Sequence, residues 1–195
     1  MPQLLLTPTS LSASASDNAG LIEALWLLER RLADWSSNQD AFNDLLQQVF
    51  GVPPSANNAA LLTTISGSGL RINLQILDAT SIDGLIAAYT SASPDCDERI
   101  YINATWLELA NPDQIEAVLL EELGHAIDNR LNPGDDTAGD EGEIFSALLR
   151  EETPDPAACQ ENDQRILSID GVAVAVQAST DTTRPTGSLR CHPPW

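Results

Sequence analysis

The segment from Val118 to Asp128 constrains the fold most, because it places ionisable side chains inside an apolar run of helical length. At 100° per residue its leucines and isoleucine cover the arc that a surface helix would give to polar residues, so the helix should be buried all round. Ionisable groups are almost never fully buried unless they are paired or bind a metal. The sequence therefore predicts a buried helix whose charged groups need counterparts.

The helical phase brings three of these groups together. Glu121, His125 and Asp128 fall within about 60° of one another on one flank of the helix. Carboxylate oxygens and imidazole nitrogens are metal ligands. These three residues are therefore candidate metal ligands on a single stripe.

A second helix, starting near Gly139, supplies a further acid. Its apolar arc is centred close to Glu141, whereas Glu143 points in the opposite direction. We therefore expect Glu141 to face inward, within reach of His125, and Glu143 to face water. The arc itself contains Ile144, Phe145, Leu148 and Leu149.

The remaining pattern indicates the α+β class, with a small mixed sheet packed on the buried helix. Residues Leu70 to Ile76 and Arg99 to Asn103 alternate as strands, and the helix should span about Pro112 to Asn129. Asp170-Gly171 between two apolar stretches predicts a C-terminal β-hairpin that joins or covers the sheet. Residues Ile82 to Tyr89 are interpreted as a short helix or a buried connector.

Length favours one domain with loose ends. Residues 1–16 are rich in serine and threonine and are predicted to be flexible, and residues 17–179 form the domain. The domain should open with helices around Leu21 to Leu32 and Phe42 to Val49. Residues 180–195 are predicted to be a disordered tail or a truncated linker.

Charge limits the partners. The chain has 29 acidic residues against nine basic ones, a formal net charge of −20. Nucleic acid and anionic membrane surfaces would repel such a chain, whereas cations such as calcium are attracted. No apolar stretch is long enough for a transmembrane helix, and the N-terminus lacks the basic region of a usual signal peptide.

The strand at Arg99 to Asn103, followed by Glu-Glu-Leu-Gly-His at residues 121–125, resembles the strand and active-site helix of zincin metallopeptidases. The family signature is His-Glu-x-x-His, so Glu121 stands where the family has its first histidine. The resemblance implies a zinc-dependent peptidase with Glu122 as the general base, His125 as a ligand and Glu141 as the third ligand. A peptide or protein substrate would then pair along the strand near Ile100 to Ile102.

Residues 70 to 180 also resemble the N-terminal region of large secreted cyanobacterial proteins with calcium-binding repeats. That resemblance implies an extracellular setting, export by a non-classical or type I route, and further domains in a larger protein. The zincin resemblance implies zinc as the cofactor, and the oxygen-rich ligand set also admits calcium or another divalent metal.

Several alternatives stay open at this stage. The domain could be a non-catalytic zincin-like module for interaction or processing, with Glu121 paired to His125 or Arg130. A diiron site would use the spacing of Glu122 and His125, but it needs a second Glu-x-x-His pair that the chain lacks. The plainest alternative is a buried histidine satisfied by carboxylates without any metal. A single Cys96–Cys159 disulfide is also considered.

Overall fold

The structure is a computed structural model, and it describes residues 5–8, 19–66, 70–93, 97–134, 137–160 and 163–179. Within these residues, strands and helices form one α+β unit, as the sequence predicts. The strands are β1 Leu5–Pro8, β2 Arg71–Leu77, β3 Ala87–Thr90, β4 Arg99–Asn103, β5 Gln164–Ile169 and β6 Val172–Ser179. The helices are α1 Ala19–Ser36, α2 Gln39–Phe50, α3 Ala56–Ser66, α4 Ala104–Leu109, α5 Pro112–Leu131 and α6 Glu141–Leu149, with a 3-10 turn at Ala158–Gln160.

The sheet is mixed, with the order β1-β2-β4-β3-β6-β5. Strands β1, β2 and β4 run parallel, whereas the pairs β4–β3, β3–β6 and β6–β5 are antiparallel. The predicted strands at Leu70 to Ile76 and Arg99 to Asn103 are therefore confirmed. The C-terminal hairpin is confirmed too, and it joins the sheet through β3.

The prediction for Ile82 to Tyr89 is only partly right. Residues up to Gly84 form a turn, but Ala87–Thr90 is a fully buried strand between β4 and β6. A four-residue strand buried on both faces shows no alternation, so hydrophobic periodicity does not identify it.

Helix α5 begins with two local signals. Asn111 and Gln114 form a reciprocal capping box, and Pro112 occupies the first turn. These groups satisfy backbone N–H donors that a helix start leaves open. Beyond the first turn, the helix is buried almost continuously from Ile115 to Asp128, as its composition predicts.

Helix α5 lies on one face of the sheet, where a large core unites it with side chains of α1, α2, α3 and α6. A smaller core lies on the opposite face, around Ile82 and Tyr101, and includes alternate residues of the hairpin. Residues of β6 that do not enter this smaller core, such as Gln177 and Ser179, therefore face α5.

Helices α5 and α6 approach each other through two glycines. A Cβ atom added at Gly124 would lie 2.7 Å from the Cα of Gly142. A Cβ atom added at Gly142 would lie 2.6 Å from the carbonyl oxygen of Glu121. These distances are shorter than van der Waals contact, so the absence of side chains permits the close packing of the two helices.

The C-terminal end of α5 is tied to the sheet by a part-buried ionic network. Arg130 donates two hydrogen bonds of 2.6 Å to the carboxylate of Glu98, which precedes β4. The hydroxyl of Tyr89 donates to the same carboxylate at 2.8 Å. Arg130 pairs with Glu98, so the proposed pairing of Glu121 with Arg130 is wrong.

The structure can be compared with the predicted limits of the domain at its N-terminal end. Residues Leu5–Pro8 pair with β2 in register, so this part of the segment predicted to be flexible is a strand. The predicted tail, 180–195, lies outside the described residues.

Cys159 is disulfide-bonded, while Cys96 lies outside the described residues, so the pairing of these two stays a prediction. None of the described helices is long and apolar enough to cross a membrane.

The glycine contact yields a stability prediction. We expect Gly124→Ala to lower the free energy of unfolding by about 1–3 kcal/mol, because the added methyl group overpacks the helix interface. Chemical denaturation monitored by circular dichroism measures this loss. The control Gln48→Ala, at an exposed position of α2, should change stability by less than about 0.5 kcal/mol. A Gly124→Ala variant as stable as the natural chain would contradict the close packing.

Candidate metal centre

The imidazole of His125 is completely buried and lies among carboxylates. Its Nδ1 atom is 2.8 Å from Oε1 of Glu141, which confirms that Glu141 faces inward and contacts His125 directly. Its Nε2 atom is 3.4 Å from Oδ2 of Asp163 and 3.9 Å from Oδ1 of Asp140. Acidic side chains therefore lie near both ring nitrogens.

The two adjacent glutamates of α5 are buried beside this ring. Glu122 is fully buried and accepts a 2.5 Å hydrogen bond from the hydroxyl of Ser179. Glu121 is 5% exposed. One oxygen of its carboxylate, one ring nitrogen of His125 and one carboxylate oxygen of Asp140 all lie within 4.8 Å of one another. Glu141 also accepts a hydrogen bond of 3.1 Å from the side-chain amide of Gln177.

Four separate parts of the fold build the cluster. Helix α5 supplies the glutamates and the imidazole, and the start of α6 supplies Asp140 and Glu141. Asp163 comes directly before β5, and Gln177 and Ser179 come from the end of β6. The cluster therefore depends on the sheet order, which places β6 beneath α5.

Sequence reasoning missed four of these residues. Asp140 stands at the N-cap of α6, where its side chain accepts a hydrogen bond from the backbone of Glu143. An aspartate directly before a helix was the available signal for it. Asp163, Gln177 and Ser179 carry no local signal, because only tertiary structure brings them to α5.

Some polar atoms of the cluster are buried and could accept a further interaction. Among the described residues, Nε2 of His125, Oε2 of Glu122 and Oε2 of Glu141 are buried without a hydrogen-bond partner. A buried polar group without a partner costs roughly 1–3 kcal/mol, and a charged group costs more. A cation at the cluster would remove this cost.

Gly142 packs closely against the ring of His125. A Cβ atom at this position would lie 2.6 Å from both Cε1 and Nε2 of His125. The structure thus combines buried ligand atoms with a side-chain-free position next to one of them. These buried groups could hold a metal ion, as two overlapping sets: Glu121, His125 and Asp140, and His125, Glu141 and Asp163.

Burial dominates the protonation of the glutamates. It raises the pKa of Glu122 to about 8, against the opposing effects of His125 and Ser179. It also raises the pKa of Glu121, with help from the charge of Asp140, and the pKa of Glu141. Burial alone would lower the pKa of His125, but the hydrogen bond and charge of Glu141 outweigh it and raise that pKa.

Asp128 and Glu143 differ from their predicted positions. The carboxylate of Asp128 accepts hydrogen bonds from the backbone and hydroxyl of Thr137, at 3.1 and 2.6 Å, and from Asn132 at 2.7 Å. It thus anchors the loop after α5 and joins neither set of potential ligands. Glu143 is only half-buried, so the predicted order of the two acids holds, although Glu143 is not fully exposed.

The expected docking of a substrate along β4 is wrong. Strand β4 is hydrogen-bonded to β2 on one side and to β3 on the other. Its backbone groups are therefore already paired, and an extended peptide would have no edge to join. The sequence predicted the strand but not its central position.

Comparison with known proteins adds no assignment. The chain matches no family model, no curated protein and no solved structure.

The buried cluster predicts a specific pH dependence for the metal-free protein. An unfolded glutamate loses its proton near pH 4.5, whereas folded Glu122 keeps it until about pH 8. The folded state therefore binds more protons in this range, and stability falls as the pH rises. His125 acts in the same direction: its raised pKa stabilises the fold below about pH 6.5 and this contribution is lost at higher pH.

We therefore expect the unfolding temperature, measured with a chelator, to fall between pH 5 and pH 8. The variant Glu122→Gln should reduce this slope because it removes one buried titrating group. Glu23→Gln removes one carboxylate at an exposed position and serves as the matched control. A slope that Glu122→Gln and Glu23→Gln change equally would show that general surface charge causes the effect.

Proposed function

We propose that this chain is a metal-binding domain in which a closed, buried site holds one divalent ion, and that it belongs among zincin-like modules used for interaction or processing. The observation that carries the proposal is Nε2 of His125, buried without a partner among the described residues and beside two carboxylates. Structural metal sites are closed, and every ligand candidate here is at most 5% exposed.

Zinc is the ion we propose. A site with nitrogen and oxygen donors binds zinc more tightly than manganese by the general affinity order of divalent metals. Calcium prefers oxygen ligands only, so the imidazole disfavours it. The donor set of one imidazole and several carboxylates is within the ligand range of zinc.

Metal binding is tested directly on protein purified without a metal-binding tag. Elemental analysis and calorimetric titration with Zn²⁺, Mn²⁺ and Ca²⁺ should give one zinc ion per chain, bound more tightly than the other two. His125→Gln should lose most of the affinity, because it removes the nitrogen ligand. The control His192→Gln changes the other histidine of the chain and should bind as the natural protein does. Absence of zinc binding in the natural chain would refute the proposal.

Glu122 supports a second candidate, a metal-dependent peptidase. It precedes His125 by three residues on α5, its carboxyl group is fully buried, and one of its oxygens has no hydrogen-bond partner among the described residues. Its raised pKa of about 8 is in the range of a group that exchanges protons near neutral pH. When bound, a metal would polarise a substrate carbonyl and a water molecule. Glu122 would take the proton from that water and pass it to the leaving amine.

The peptidase candidate predicts loss of activity for one variant and tighter zinc binding for another. Glu122→Gln should abolish hydrolysis of casein, or of the chain itself, with metal content nearly unchanged, because the general base is not a ligand. Glu121→His should raise zinc affinity, since it supplies the second imidazole of the family signature. Equal background hydrolysis by the natural protein and Glu122→Gln would eliminate the enzyme and leave the binding module.

The setting is also a proposal: a domain of a larger extracellular protein. The disulfide of Cys159 supports it, because disulfides persist mainly in oxidising compartments. The net charge of −20 and the resemblance of residues 70 to 180 to secreted repeat proteins agree with it.

A further inference from the structure

We propose that the two nitrogens of His125 have different tasks: Nε2 binds the metal ion, whereas Glu141 and Gln177 position the ring by holding Nδ1. This inference rests on the proposed metal site. It changes the role of Glu141, which the sequence pattern and the zincin resemblance presented as a ligand.

The contacts of Nδ1 define the positioning side. Oε1 of Glu141 lies 2.8 Å from Nδ1, a distance typical of a charge-assisted hydrogen bond. The same oxygen accepts a hydrogen bond from Gln177 at 3.1 Å. An oxygen that accepts from both Gln177 and Nδ1–H is fixed in place. In metal sites, a carboxylate that binds the far nitrogen of a ligating histidine sets the ring orientation and the tautomer.

The tautomer then decides what Nε2 can do. A metal ion at Nε2 replaces the proton there, while Nδ1 keeps its proton because Glu141 accepts the hydrogen bond from it; Nε2 then offers its lone pair to the ion. The Nε2 atom lies 3.4 Å from Oδ2 of Asp163 and 3.9 Å from Oδ1 of Asp140. Nε2 itself is buried without a hydrogen-bond partner among the described residues, and it is the atom to which we assign the metal ion. The backbone of Gly142 packs closely against the Cε1–Nε2 edge of the ring, which only a residue without a side chain permits.

The proposed ligands, besides Nε2 of His125, are Glu121 on α5 and Asp140 at the start of α6. Glu121 and Asp140 each offer an oxygen within 4.8 Å of a nitrogen of His125 and of each other. Asp140 is also the N-cap of α6, through Oδ1 and the backbone N–H of Glu143. Metal binding would therefore also fix the start of α6 against α5.

A matched pair of variants tests the division of tasks. Asp140→Asn and Glu141→Gln each replace one buried carboxylate by an amide of the same shape, but on opposite sides of the ring. Asparagine is as good an N-cap as aspartate, so the first variant keeps the cap of α6. Glutamine still offers an oxygen to Nδ1–H, so the second variant keeps the hydrogen bond.

Calorimetric titration with Zn²⁺ should show a loss of about 10–100-fold for Glu141→Gln, the usual effect of a residue that orients a ligand. Asp140→Asn should lose more than that. With Co²⁺ as the probe, the visible absorption bands should keep their shape in Glu141→Gln and change in Asp140→Asn. An equal loss in both variants, or the reverse order, would overturn the assignment.

A measurement without a change at the site provides an independent test. The variant His192→Gln leaves His125 as the single histidine, so its ring nitrogens can be assigned by nitrogen-15 NMR. In the zinc-loaded protein, Nδ1 should carry the proton and Nε2 should carry none. A proton on Nε2 with Nδ1 bare would overturn the inference even though zinc binds, whereas no zinc binding at all would instead refute the proposed function.

Discussion

The structure depends on the burial of a charged helix. Helix α5 passes through the core with Glu121, Glu122 and His125 at its centre, and these three residues are at most 5% exposed. Burial of several carboxylates with one imidazole is unfavourable unless protons or a cation neutralise them. Protons neutralise these groups at low pH, and under the proposed function a divalent ion would neutralise them at neutral pH.

The close contact of α5 and α6 makes this cluster possible. Gly124 and Gly142 let the two helices approach without side chains between them, and Gly142 lies against the imidazole. Ser146 adds a hydrogen bond of 2.7 Å from α6 to the carbonyl oxygen of Ala117 on α5. A larger residue at either glycine would separate the helices and move Asp140 and Glu141 away from the ring.

Helical phase predicted the parts of the site that lie on two helices. The burial of α5 and the inward direction of Glu141 follow from where apolar residues recur, and the hairpin follows from Asp170-Gly171. The contributions of Asp163, Gln177 and Ser179 could not be predicted, because strand order is a property of the whole chain. The same limit explains why a substrate was expected to pair along β4, which is a central strand.

The strand order also bears on the choice between enzyme and binding module. A peptidase must admit an extended chain to its metal, whereas β4 is paired on both sides and the ligand candidates are buried. If α6 moved away from α5 to admit a substrate, the contact between Glu141 and His125 would break. Under the proposed division of tasks at His125, this contact orients the ring for metal binding, so such an opening would weaken the binding of the ion. The closed arrangement thus favours a metal that stabilises the fold over one that turns over substrate.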